Sequence, residues 1–567
     1  MDQWLNVREM SWRWSEERAV LMRRCPRAPH AVLVLVLLAC SSSLESSPRA
    51  QSSSLTVLFS PSAGTFVGNE TVTLSVQARA DIYYTLDGSM PTVMSPIYQG
   101  PITLDKSTRL RAVAIMPGAP TRAGSAGATT DAGLQGPVAT DIYLRVNPDT
   151  QSFTSHLPII LIHTFESETL DSFGTDYVPA ALQVLEPTSG TSRLVGRAAL
   201  DARIGIHVRG VTSRTFTKKQ FAMELRADDE DTDSDQPMLG LPSGSDWVLS
   251  DPVPYDRALI RNALAFALSN RIRRYAPRTR FAEVFMVDDG GDVRAAHFLG
   301  FFTLIEKIER DPERVNVGRL PGSAASLPAV TGGFILRIDK GVADFVAAGR
   351  RLQFVYPDPE EMGVPERRPQ LDFIRAFIDG FGHAASAVDF RHPSTGQHYS
   401  EFIDVDAWID HNVINSLTKN VDGMRFSSYF HKERGGRLAA GPVWDFDRSM
   451  GTPYDPRTTE PEEWNQTFNA TDYFNEGWWR LLFRDPDFRS RYRERFNALL
   501  NGEFAADNID RIVDGMASEV GDAADRNFRR WTQFPPRDNS HAAEIALLKD
   551  FLRRRVAWIK TQLDTNF

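Results

Sequence analysis

The chain has 567 residues and a net charge of −9, long enough for two to four domains and too acidic overall for a protein built around nucleic acid. Hydrophobic residues make up 42% and charged residues 24%, the balance of a soluble globular protein. Its only two cysteines, Cys25 and Cys40, fall near the start, which excludes a disulfide framework or a thiolate zinc site in everything that follows.

The segment beginning at Met22 reads as a secretory leader. Arg23, Arg24 and Arg27 precede the apolar run Ala31–Ala39, which is too short to span a bilayer as a helix. Leu37-Leu38-Ala39-Cys40 resembles a bacterial lipobox, which would make Cys40 a lipidated N-terminus; the plainer reading is an ordinary signal peptide cut near Ala39. The polar residues 1–21 read as an over-extended start, with the true start at Met22. The whole of 1–40 is the leader, and the Ser-rich 41–54 a flexible tether.

Residues 55–146 predict a small all-β sandwich. Alternating runs such as "TVTLSVQA", "DIYYTL" and "TRLRAVAI" are punctuated by Gly, Pro and Asp-Gly turns. The motif Tyr84, Thr85, Asp87, Gly88, Ser89, Pro91 and Thr92 resembles the core repeat of the chitobiase/β-hexosaminidase C-terminal domain. That resemblance implies a spacer or accessory module, with sugar binding as the alternative. The Gly/Ala/Thr-rich 117–136 reads as a long loop. Further on, "ADDEDTDSDQ" (227–236) reads as a solvated acidic loop; a calcium loop on Asp231, Asp233 and Asp235 would lack the glycine and glutamate of an EF-hand.

From about residue 155 to 567 a second, larger unit is expected. "LPIILIHTF", "ARIGIHVRG" and "KKQFAMELR" carry strand alternation. A helix follows over 257–272, with Asp256 as its N-cap. "RFAEVFMVDD", "HFLGFFTLIE" and "GGFILRID" predict three more strands. The remainder reads as mainly helical, with helices over 404–420, 476–502 and 542–563; Trp478 and Trp479 read as core. The fold class is therefore α+β, a sheet-rich part followed by a helical part, with a cleft expected between them.

Two acidic clusters stand at the ends of a predicted hairpin. Asp422 follows the helix 404–420, "FSSYFHKERGGRLAAGPVW" folds back at Gly435-Gly436, and Asp445 comes 23 residues after Asp422, with Asp447 beside it. Phosphoryl transfer needs an aligned acceptor hydroxyl and a metal placed by carboxylates, and this is the order in which a protein kinase presents them. The plainer reading is a helix cap and a structural turn, with Trp444 and Phe446 packed inward.

From Leu157 onward the chain is similar to the CotH kinase family. The matching segments are "VRGVTSRTFTKKQF" (208–221), "LGLPSGSDWVLSDPVPYDRALIRNALAFALS" (239–269), "APRTRFAEVFM", "FLGFFTLIEKIER", "GGFILRIDKG", "KNVDG" and "GPVWDFDRSMG". The resemblance implies a two-lobed atypical kinase domain. Lys218 would contact the nucleotide phosphates from a strand, with Lys219 as the second choice. Glu306 would lie near the nucleotide or pair with Lys218. Arg209, Ser213 and Arg214 would replace the missing Gly-rich loop as donors. Asp422 would align or deprotonate the acceptor, Asp445 would hold Mg²⁺ or Mn²⁺, and Asp447 would be a second metal ligand or a support. Arg261 and Asn262 would be conformational, and Trp444 would stack or pack. No Glu on the helix is placed to pair with Lys218, so Asp256 or Glu306 must substitute. Ser427 stands where the common kinase has its metal-binding Asn.

What the resemblance implies is an envelope-anchored or secreted bacterial enzyme that transfers phosphate from ATP to Ser or Thr hydroxyls of a protein. No nucleic-acid partner is expected, and the membrane would be met only through the lipid at Cys40. A non-catalytic pseudokinase scaffold and a kinase acting on a cell-surface glycan are the rival readings. A glycoside hydrolase would have only the paired carboxylates in its favour.

Overall fold

A computed structural model of the chain describes residues 54–116, 134–165, 170, 174, 176–228, 232–465 and 469–565. The leader, Cys40, most of the tether, residues 117–133 and Asp231 lie outside the described residues.

The N-terminal part is all β. Strands Leu58–Ser60, Glu70–Ser75 and Ile102–Leu104 form one sheet; Gly64–Phe66, Ala139–Arg145, Thr108–Ile115 and Asp81–Thr85 form the other. Val72, Leu74, Leu104, Leu110 and Ala112 fill the space between them. In the Tyr-Thr-x-Asp-Gly-Ser motif, Asp87 Oδ1 accepts from the Ser89 amide at 2.9 Å and the Ser89 hydroxyl at 2.6 Å, closing the turn on itself. Strand Ala139–Arg145 then docks on the next unit. Ile142 and Leu144 pack with Ile159, Leu161 and Phe285, and Gln183 Nε2 donates to the Ile142 carbonyl at 2.7 Å.

Seven strands close into a barrel, in the order Val178–Leu185, Leu200–Val208, Phe221–Arg226, Asp246–Ser250, Phe298–Glu306, Thr279–Val287 and Ile159–His163. All pairs are antiparallel except Ile159–His163 with Thr279–Val287. Period-2 alternation sends Ile160 and Ile162, Ile204 and Ile206, Met223 and Leu225 into the interior with Trp247 and Phe302. Two barrel strands escaped the sequence reading. "VPAALQVL" and "DWVLS" are buried along nearly their whole length, so no alternation marks them. The strand expected at "KKQFAMELR" begins only at Phe221; Lys218 and Lys219 precede it.

The remainder is a five-stranded sheet, ordered Phe345–Ala347, Arg350–Tyr356, Phe334–Ile338, Ser428–Lys432 and Leu438–Ala440, packed among helices. Helix Val405–Leu417 is buried at every residue except Asp406. Asp404 caps it, accepting from the Ala407 amide at 3.1 Å, a contact worth about 1 kcal/mol. The helix expected over 476–502 is two, Trp479–Leu482 and Pro486–Asn501, because Pro486 starts a new helix under an Asp485 cap. The helix expected over 257–272 starts at Arg261, yet Asp256 still takes the amide of Arg261 at 2.7 Å. The architecture is mixed α and β with a β-rich N-terminal region.

Candidate active site

The buried helix Val405–Leu417 ends in a tight turn, and the hairpin Ser428–Lys432/Leu438–Ala440 returns the chain beside it. One side chain joins the two ends. Asn420 is buried; its Oδ1 accepts from the amides of Asp422 and Gly423 at 3.1 and 3.0 Å, while its Nδ2 donates to the Asp445 carbonyl at 3.1 Å. Tyr473 and Thr471 clamp the same turn, through bonds to the Asn420 and Val421 carbonyls at 3.2 and 3.1 Å. From the other side Asn262 Oδ1 receives the Phe446 amide at 2.7 Å, and the Arg261 Nε donates to the Ser449 carbonyl at 3.1 Å. These two helix residues therefore set the path of the "WDFD" loop.

The backbone here is strained. Lys419, Met424, Ser427, Asp445 and Met450 all take left-handed φ values, between 50° and 70°. Each costs roughly 1–3 kcal/mol in a non-glycine residue, and such residues gather where a fold must aim functional groups.

Asp422, Asp445 and Asp447 line a single cleft of about 400 Å³. Ser427 Oγ donates to Asp445 Oδ2 at 3.2 Å. Asp445 reaches solvent within the cleft but has protein on most sides. Lost hydration pushes its carboxyl up, with Asp422 and Asp339 adding repulsion and Asp447 and Ser427 opposing. Asp447 is pushed well up, first by burial and then by Asp445 beside it. Two carboxyls so placed share a proton or need a cation. Asp422 is instead held by two guanidiniums, Arg457 at 3.3 Å and Arg448 at 3.6 Å, which Asp455 ties together.

Opposite the acids lie Arg209 and Arg214, on the loop "RGVTSRTF". Arg209 also faces Trp444, 5.4 Å from the ring, and Trp444 stacks on Phe266 of the Arg261–Arg271 helix at 5.7 Å, so it packs more than it projects. Gly210 has φ +96°, and a Cβ there would sit 1.9 Å from Ser213 Oγ; glycine keeps this loop open. Arg337, Asp339 and Lys340, at the end of strand Phe334–Ile338, also line the cleft. Sequence reading missed these three as well as Asn420. The signal was present in the charged triplet that closes "GGFILRIDKG".

Three expected nucleotide ligands lie elsewhere. Lys218 is fully buried, its Nζ ion-paired with Asp251 at 2.9 Å and bonded to the Phe301 carbonyl at 2.6 Å and Asn527 Oδ1 at 3.0 Å. Its partner is thus Asp251, neither Asp256 nor Glu306. Lys219 sits under the Arg209–Arg214 loop and donates to the Arg214 carbonyl at 2.6 Å. Glu306 is buried against Arg278, at 2.7 Å, and accepts from the Tyr275 hydroxyl at 3.2 Å. Asp256 is spent on Arg261, at 2.6 Å. None of the four lines the cleft.

Among the described residues no three His, Cys, Asp or Glu side chains converge to hold a metal unaided. Asp445 and Asp447 nevertheless fit a hard cation: two adjacent oxygen donors whose charges repel, next to a hydroxyl, with further positions open to water or phosphate.

Comparison with known proteins returns two family models and no curated protein. A chitobiase/beta-hexosaminidase C-terminal domain model matches residues 61–124, whose described part, 61–116, belongs to the β-sandwich. A model described as CotH kinase protein matches residues 206–559, from the barrel strand before the Arg209 loop to the last helix, and so takes in every residue of the acidic cleft. With well over half of its length matched, the chain belongs to the CotH kinase family.

Proposed function

We propose that this chain is an ATP-dependent phosphotransferase acting on Ser or Thr hydroxyls of a protein, with the nucleotide seated between the barrel and the helical part as in a two-lobed kinase. The observation that carries this reading is the convergence of Asp422, Asp445 and Asp447 in one cleft that also holds Arg209, Arg214, Arg337 and Lys340. Asp445 and Asp447 would hold Mg²⁺ or Mn²⁺. The bound cation supplies charge neutralisation at the transferring phosphoryl group. The guanidiniums of Arg209 and Arg214 and the Lys340 ammonium offset the remaining phosphate charge, the role first expected of Lys218. Asp422, its carboxylate fixed by Arg448 and Arg457, orients the acceptor hydroxyl and takes its proton.

The burial of Lys218 favours the scaffold reading over the enzyme, since the usual lysine does not enter the cleft. Against it, a scaffold has no use for three carboxylates gathered at one void, one of them, Asp445, on a strained backbone. The test is transfer of labelled phosphate from ATP with Mg²⁺ or Mn²⁺ to a Ser/Thr protein mixture and to a surface glycan fraction. The parent should label protein, and Asp422→Asn should lower kcat by at least about 10³-fold while leaving the nucleotide-induced rise in Tm intact. Equal labelling by both would remove Asp422 from the chemistry. Labelling of glycan alone would move the acceptor class.

Envelope anchoring through Cys40 belongs to the same proposal, on the strength of Leu37-Leu38-Ala39-Cys40. The full chain expressed in a bacterium should partition into detergent, and Cys40→Ala should release it to the aqueous phase. Unchanged partition of that variant would leave the simple signal peptide.

A further inference from the structure

Arg448 follows Asp447 directly in the chain and lines the acidic cleft. Three contacts hold its guanidinium in one place. Nε donates to Asp455 Oδ2 at 2.8 Å; Asp455 is only 2% exposed and is itself tied to Arg457 at 2.6 Å, so the anchor is a buried one. One face of the guanidinium lies over the Tyr255 ring, 4.4 Å from its centroid. Nη1 stands 3.6 Å from Asp422 Oδ2, within ion-pair range but too far for a hydrogen bond. The second arm of the fork is free. Among the described residues Nη2 has no hydrogen-bond or ion-pair partner, and it is not sealed from solvent. Arg448 also bears on the acids beyond Asp422. Burial raises the Asp447 carboxyl first and Asp445 raises it further; Arg448 opposes both. Arg457, the other guanidinium on Asp422, does not line the cleft, and Arg209 and Arg214 stand on its opposite wall.

A phosphoryl group on its way to a hydroxyl held at Asp422 passes between that carboxylate and the Asp445/Asp447 pair, the stretch of the cleft that Arg448 serves. We infer that Arg448 is a catalytic residue of the transfer: Nη2 donates to a non-bridging oxygen of the moving phosphoryl group while Nη1 stays at Asp422. The inference rests on the phosphotransfer reading and adds to it the cation that joins phosphoryl group and acceptor. In the step, the acceptor oxygen forms the new bond to phosphorus. The bond from phosphorus to the bridging oxygen breaks, and its electron pair leaves with ADP. The hydroxyl proton goes to Asp422. Midway, negative charge lies on the three non-bridging oxygens. A guanidinium is charged at every working pH, and one already fixed at those oxygens needs no rearrangement as the charge develops. Asp455 and Tyr255 provide that fixing.

Aluminium fluoride beside MgADP mimics a phosphoryl group in flight. Added to the full chain, it should tighten MgADP at least about tenfold by calorimetry. Arg448→Met should bind MgADP within about threefold of the parent yet lose that tightening. Its kcat should fall by at least about 10²-fold, with the KM for ATP within about threefold. Arg448→Lys, which keeps a charge at Asp455 without a second arm in the cleft, should show the same loss; circular dichroism and Tm verify the fold of each variant. Arg457→Met, which strips the other guanidinium from Asp422, should keep the tightening. Equal tightening in the parent and both Arg448 variants would overturn the assignment and leave the phosphotransfer reading standing. An equal loss in Arg457→Met would mean that both arginines act only by placing Asp422, and would overturn it as well. A parent that fails to bind MgADP would bring down the phosphotransfer reading and the assignment with it.

Discussion

Lys218→Met is expected to destabilise the fold by about 3–5 kcal/mol and to leave nucleotide affinity of the folded protein within threefold of the parent. Removing one partner of a fully buried ion pair strands the other. Here the stranded group is Asp251, whose carboxyl burial already holds up at about 7 with Lys218 present. It will take a proton, which softens the loss. The Phe301 carbonyl and Asn527 Oδ1 also lose a donor, and with them the barrel loses a tie to the Ala523–Arg530 helix. Lys218→Met/Asp251→Asn should regain at least half of the lost stability, since the amide still accepts from the Val253 N–H now at 3.2 Å from Asp251 Oδ1. Denaturant melts of the three proteins, with ATP titrations of each, check this. Normal stability combined with lost ATP affinity in Lys218→Met would return Lys218 to the phosphates. The point matters in practice: replacing this lysine is the usual way to silence a kinase, and here it would report on folding.

The acidic constellation was legible because it is local. A helix, a Gly-Gly hairpin and a "WDFD" loop are short-range signals, and their spacing alone brings Asp422 and Asp445 together. The family resemblance was equally legible, in ordered segments from "VRGVTSRTF" to "GPVWDFDRSMG". The lysine was not, because which face of a strand or loop a side chain takes depends on register, and one residue of slip reverses it. The strand starts at Phe221, and the turn before it points Lys218 inward to Asp251, a partner 33 positions away that no local pattern announces. Glu306 failed for the same reason: its partner Arg278 comes from the neighbouring barrel strand's approach. The barrel itself was hidden by the two strands buried on both faces, whose continuous apolar runs carry no period. Asn420 and Arg337 act through a backbone carbonyl, two amides and a sheet neighbour, contacts that exist only once the chain is folded.

Asp445→Asn should abolish phosphate transfer, by at least about 10³-fold in kcat, and at the same time raise the Tm of the nucleotide-free protein at pH 8. The first effect follows if Asp445 is a metal ligand, since an amide is a poorer donor to a hard cation and carries no charge. The second follows from the pair. In the folded chain Asp445 and Asp447 both hold their protons to higher pH than ordinary carboxyls, first through lost hydration, with Asp422 and Asp339 repelling charge on Asp445 and Asp445 repelling charge on Asp447. In the unfolded chain they titrate near 3.9. The folded state therefore binds more protons over the window between, and its stability falls as pH rises from about 4 through the raised values. An Asn at 445 removes one charge and the repulsion on Asp447, so its Tm should decline less between pH 5 and pH 8. Mg²⁺ with ATP should raise the parent's Tm at pH 8, by replacing the missing proton with a cation, and should raise that of Asp445→Asn far less. Thermal melts at several pH values, with and without Mg²⁺ and ATP, separate the alternatives. A variant that loses activity and also melts lower at pH 8 would mean that Asp445 serves the loop's structure first. A variant that keeps activity would mean that the metal, if one is used, sits on Asp447 and Asp339 instead. Gain of stability with loss of function is the signature expected of groups held together against their own repulsion for the sake of a charge they have yet to receive.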